Sequence, residues 1–158
     1  MSYVIPDEAR PGALRNYVVR PSAPLLAGML AGAWMAWPWF AFNSIALGSP
    51  TRRRELAMCA AGFAGTAVLA LLLLELVRGC WLTTDTEIRL GLLVISFWKL
   101  LTLYWVDQVQ SRTFHVYEYY GGAVRNAGTA LAAGFLLRGF VVGAVDDPLW
   151  VIIVRGGL

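Results

Sequence analysis

The chain carries four apolar runs, at about 24–47, 56–77, 88–106 and 127–145, separated by short polar stretches. Each approaches the roughly 20 residues that a helix needs to cross the hydrocarbon core of a bilayer. In that core every backbone N–H and C=O has to be satisfied within the segment, so helix is the default. The expectation is all-α: a polytopic transmembrane helical bundle forming a single transmembrane domain over residues 1–158. Residues 1–23 form an interfacial N-terminal segment, and 149–154 form an apolar C-terminal run too short to span. Composition agrees, with 58% hydrophobic and only 15% charged residues, too little polarity to cover a soluble domain.

Local punctuation marks the ends of the runs. Gly48-Ser49-Pro50 stops the first, Thr51 offers a cap for the second, and Arg78-Gly79 ends it. Thr83, Thr84 and Asp85 offer caps for the third, and Asn126 for the fourth, which Asp146-Asp147-Pro148 terminates. Such residues cap or break helices through side-chain acceptors or a missing N–H. Beyond the third run, Trp105, Val109, Val116 and Tyr119/Tyr120 suggest an amphipathic continuation of that helix, with an interfacial strand as the alternative. Met1 to Ser22 contains Asp7, Glu8 and three prolines, and does not read as a signal peptide.

The first run is unusual because Pro38 lies near its centre between Trp37 and Trp39, with Trp34 a turn earlier. The leading expectation is a spanning helix kinked at Pro38; the alternative is a re-entrant hairpin that turns at Trp37-Pro38-Trp39. Four full spans divide the arginines almost evenly between the two sides. A re-entrant first run instead places Arg10, Arg15, Arg20, Arg52, Arg53, Arg54, Arg112 and Arg125 on one side and Arg78, Arg89 and Arg155 on the other, which obeys the positive-inside rule far better.

Ionisable side chains within apolar runs are costly and point to structure or function. Lys99 is the clearest, with Glu75 as its expected partner near the same end. Arg138 lies two turns from Asp146, with Asp107 as another partner, or else snorkels to a headgroup. Asn43 is read as an interhelical hydrogen-bonding residue. Small residues spaced by four (Gly28/Gly32, Ala61/Gly65, Ala130/Gly134 and Gly139/Gly143) let helices approach closely. Arg52, Arg53 and Arg54 form a dense basic run, suited to a membrane surface or an acidic partner.

Several chemistries lack the residues they require. His115 and Glu118 have metal-pair spacing, but with one histidine in the chain no metal site is expected. Cys59 and Cys80 would lie about 31 Å apart on one helix and cannot pair. No phosphate loop, dinucleotide fingerprint or nucleophile elbow is present, and the net charge of +3 is too small and scattered for a nucleic-acid surface. The expectation is a non-catalytic membrane protein without cofactor. Its partners would be membrane lipids and other membrane proteins or further copies of itself, and it would serve as a subunit or accessory (immunity-type) component of a larger complex. A small oligomeric channel or transporter using Lys99, Glu75 and Arg138 is the alternative. A pigment- or lipid-binding subunit, suggested by seven tryptophans, is a third. The arginine-rich, lysine-poor composition associates with a bacterial inner membrane.

Overall fold

A computed structural model describes Ala9 and residues 12–155. Met1–Glu8, Arg10, Pro11 and residues 156–158 lie outside it, and with them most of the interfacial N-terminal segment. Among the described residues the chain is all-helical, with six α-helices, a 3-10 turn at Arg15–Tyr17 and no strand. The helices are α1 (Ser22–Leu30), α2 (Ala33–Leu47), α3 (Arg52–Arg78), α4 (Asp85–Tyr119), α5 (Gly128–Val142) and α6 (Pro148–Val154).

Two helices, α3 and α4, are long and apolar enough to cross a membrane by length and composition. This corrects the expectation of four spans. At 1.5 Å per residue they extend for about 40 and 52 Å, whereas α5 covers only about 22 Å, less than the roughly 30 Å of a bilayer core. They pack on each other through small residues. A Cβ on Gly65 would stand 2.6 Å from the Trp98 ring, and one on Gly62 would stand 2.8 Å from Trp37 Nε1 and 3.0 Å from Thr102 Oγ1. Thr84 and Glu87 start α4 with a reciprocal capping box.

The first apolar run is neither a kinked span nor a hairpin turning at the tryptophans. It breaks at Ala31-Gly32, where Gly32 takes φ 118° and ψ 168°, a conformation that only glycine adopts without strain. Trp34 Nε1 closes the break by donating to the Ala31 carbonyl at 2.9 Å. Helices α1 and α2 then fold back on each other, with a Cβ on Gly28 standing 3.2 Å from that of Ala36 and colliding with Leu103. Pro38 sits within α2 on its exposed side. It costs the helix one N–H without ending it.

Helix α4 continues through Tyr119, as the amphipathic reading expects, but it buries a different stripe. Val106, Gln110, Thr113, Phe114 and Tyr117 face inward, while Trp105, Tyr119 and Tyr120 are exposed. Phe114 and Tyr117 close a cluster with Val18, Ala46 and Leu47. Asp147 caps α6 by accepting from the Leu149 N–H at 2.7 Å. The apolar C-terminal run docks through Leu149, Ile152 and Ile153 against Ala70, Leu73 and Ile95.

Helix α5 is peripheral. Gly134 is its one buried residue and meets Met35 and Ala31, while Phe135, Leu136 and Phe140 are exposed. Around Gly139 nothing lies within 4 Å of an added Cβ. Gly28→Leu should therefore destabilise the protein by about 1–3 kcal/mol through overpacking. Gly139→Leu should change stability by less than about 0.5 kcal/mol. Thermal unfolding of the two variants in a mild detergent checks both values.

Candidate functional site

The strongest concentration of polar groups lies inside the bundle, where α2, α3 and α4 meet the segment before α1. Asn43 of α2 accepts from the Val19 N–H at 2.9 Å and donates to the Val19 carbonyl at 3.0 Å. Its amide also donates to Gln110 Oε1 of α4 at 2.8 Å. Gln110 Nε2 donates onward to Glu55 Oε2 at 2.9 Å and to the Phe40 carbonyl at 3.2 Å. Thr51 Oγ1 donates to Glu55 Oε1 at 2.7 Å, and Ser49 Oγ donates to the same oxygen. Asn43, Gln110 and Glu55 have no exposed surface.

The local sequence explains this geometry. Gly48, at φ 63°, ends α2 in the left-handed conformation. The short turn that follows delivers the Ser49 and Thr51 hydroxyls beside the first turn of α3. There Thr51 holds the N-cap position, yet its side chain accepts no capping N–H; its hydroxyl instead donates to Glu55. The carboxylate lies in the first turn of α3, where the helix dipole favours negative charge. Its hydrogen-bond donors are neutral: Ser49, Thr51 and Gln110. Every donor in the relay meets an acceptor, so it fixes three elements in one register and offers no reactive atom to solvent.

The residues singled out in the sequence are dispersed. Lys99 is buried but does not pair with Glu75. Its ammonium donates to the carbonyls of Ile152 and, at 2.8 Å, of Arg155, capping the C-terminal end of α6. Glu75 instead bonds Arg78 at 2.8 Å on the exposed side of α3. The two side chains face different surroundings: Lys99 is buried against α6, whereas Glu75 is exposed on α3. Arg138 pairs with neither Asp146 nor Asp107. Its Nη1 donates to the Leu30 carbonyl at 3.2 Å, one of the carbonyls left without an intrahelical partner at the end of α1. Asp107 is buried and accepts from Gln108 at 3.3 Å.

Of the small-residue pairs, Gly28, Gly65 and Gly134 sit at close helix contacts. Ala61 and Ala130 mark the same helices one turn away, and Gly32 is the break itself. Gly139 and Gly143 line no contact with another element, contrary to their reading as packing residues. Arg52, Arg53 and Arg54 are exposed on the first turn of α3.

Sequence reasoning missed Glu55 and Gln110. Glu55 was hidden at the end of a basic run that reads as solvated, and Gln110 in a stretch read as amphipathic on another face. One signal was present: hydroxyls at Ser49 and Thr51, six and four residues before a lone carboxylate, a spacing suited to folding back onto it. Comparison of the chain with protein-family models, curated proteins and solved structures finds no match.

Gln110→Leu leaves Glu55, Asn43 and the Phe40 carbonyl without their shared partner. It should cost about 2–5 kcal/mol, against less than about 0.5 kcal/mol for Arg112→Leu on the exposed face of α4; denaturant unfolding in mixed micelles measures the difference. Lys99→Met strips two carbonyls at the end of α6 of their donor. Amide hydrogen exchange over Val151–Val154 should then accelerate by about tenfold or more, as local opening becomes easier, with α3 unchanged.

Proposed function

We propose that this chain is a non-catalytic integral membrane protein that works by binding other membrane proteins, as a subunit or accessory partner of a larger assembly. The membrane placement draws on α3 and α4 and on their outward side chains. Phe63, Leu72, Leu93, Val94 and Phe97 are all more than half exposed, a surface that water tolerates poorly and lipid accommodates.

The fold also gives the charges a direction. Because α1 and α2 fold back together, Arg15, Arg20, Arg52, Arg53, Arg54, Arg112 and Arg125 gather toward one end, and Arg78 and Arg89 lie at the other. That asymmetry follows the positive-inside rule and suits a membrane with an anionic inner leaflet, such as a bacterial inner membrane.

The outer face of α5 carries the binding reading. Leu136 is 74% and Phe140 79% exposed, and Gly139 between them touches nothing. The other close-packing glycines are used inside the bundle, so this helix presents a small-residue notch flanked by bulky apolar side chains, suited to a second helix.

Extraction from native membranes in mild detergent, followed by size-exclusion chromatography and mass spectrometry, should recover stoichiometric companions or a homo-oligomer. Gly139→Leu, which leaves the fold stable, should release them. A monodisperse wild-type monomer with no companion would count against the reading.

A further inference from the structure

A crevice of about 500 Å³ lies between the first turns of α1 and α5, at the arginine-rich end of the molecule. Arg20, Ser22, Arg125 and Asn126 form its polar rim, and Leu26 and Leu131 line its apolar side. The leucines stand about one helical turn, roughly 5 Å, beyond the rim. The crevice is therefore graded from cationic to apolar along the helix axes, and its volume falls within the ~300–1,000 Å³ typical of ligand sites.

The rim is held in place. The Arg125 N–H donates to the Val18 carbonyl at 2.8 Å, and its guanidinium carbon sits 5.0 Å from the centre of the Tyr17 ring. Asn126 Oδ1 accepts from the Gly128 N–H at 2.8 Å, which fixes the start of α5. Arg20 bonds Glu118 at 2.9 Å. Glu118 thus offsets one of the two rim cations, and among the described residues Arg125 has no carboxylate partner. One net positive charge remains, the complement of a lipid headgroup with one net negative charge and no cation of its own, and guanidinium is well suited to hold its phosphate oxygens.

We propose that this crevice binds one anionic glycerophospholipid, with the phosphate at Arg125 and an acyl chain along Leu26 and Leu131. The proposal rests on the membrane reading above and deepens it by naming a lipid class and a place. It differs from the diffuse attraction of a basic surface for an anionic leaflet, because it needs both the charge at the rim and the space beneath it.

The test uses the full chain with vesicles and lipids of defined headgroup. Flotation with pure phosphatidylcholine vesicles reads the membrane placement alone; failure to float overturns that placement and this proposal together. For protein that floats, native mass spectrometry from detergent containing equal phosphatidylglycerol and phosphatidylcholine reads the site. The wild type should retain phosphatidylglycerol over phosphatidylcholine by about tenfold, in keeping with a charge-assisted contact. Arg125→Gln, which removes charge, and Leu131→Trp, which fills the apolar side without changing charge, should each lower that retention at least about fivefold. Leu26→Trp fills the crevice from the α1 side should Leu131→Trp fail to fold. The combined Arg52→Gln, Arg53→Gln and Arg54→Gln variant should stay within about twofold of wild type, as those charges lie outside the crevice.

Equal retention of both lipids by the wild type overturns the proposal, as does wild-type retention in Arg125→Gln and the filled variants. So does an equal loss in the Arg52–Arg54 variant, which would mean a diffuse field. A co-purifying protein lost in Leu131→Trp but kept in Arg125→Gln would assign the crevice to a partner helix instead, and overturn it too.

Discussion

The fold depends on one buried carboxylate and the two amides that lead to it. Glu55, Gln110 and Asn43 join α3, α4 and α2, and Asn43 reaches the backbone of Val19 before α1. In a low-dielectric interior these bonds are strong individually and expensive to leave unmade. The relay therefore acts as a register lock, because sliding any one helix by a residue breaks at least one of its bonds. Apolar packing around it, from Phe40, Leu103 and Val106, supplies burial but no comparable directionality.

The relay also explains how two short helices are tolerated. With nine and fifteen residues, α1 and α2 cannot cross a bilayer, and their facing ends carry backbone groups that hydrocarbon would not satisfy. Asn43 pairs with both the N–H and the carbonyl of Val19 at the outer end. The indole of Trp34 and the guanidinium of Arg138 take the Ala31 and Leu30 carbonyls at the inner end. In a bilayer, a half-depth hairpin of this kind would be viable only where protein supplies such partners. Lys99 does for the C-terminal end of α6 what these groups do for the hairpin.

Helix as the sole element type, and the long runs of α3 and α4, were legible in the sequence because length and hydropathy dictate them. That the first run could fold back on itself was legible too, through arginine bookkeeping, although its turning point was not. Proline and tryptophan drew attention to positions 37–39, while the backbone turned at Gly32, where a positive φ was the controlling requirement. Asn43 was recognised as a hydrogen-bonding residue. Its partner Gln110 was not, because it lies far along the chain, nor was Glu55 beyond it, which sits beside three arginines that mask it. The partners of Lys99 and Arg138 escaped for a related reason: each found backbone carbonyls at helix ends, and sequence patterns of opposite charge do not reveal those.

The proposed membrane placement has α1 and α2 enter and leave on one side while α3 and α4 cross. Sealed vesicles carrying the chain with Cys59 replaced by Ala, and probed with a membrane-impermeant maleimide, test it directly. Ser22→Cys and Pro50→Cys occupy exposed positions at the two ends of the hairpin, and the native Cys80 is exposed beyond the far end of α3. The account predicts that positions 22 and 50 react from the same face and Cys80 from the opposite one. Reaction of positions 22 and 50 from opposite faces would make the first apolar run a true span and contradict it.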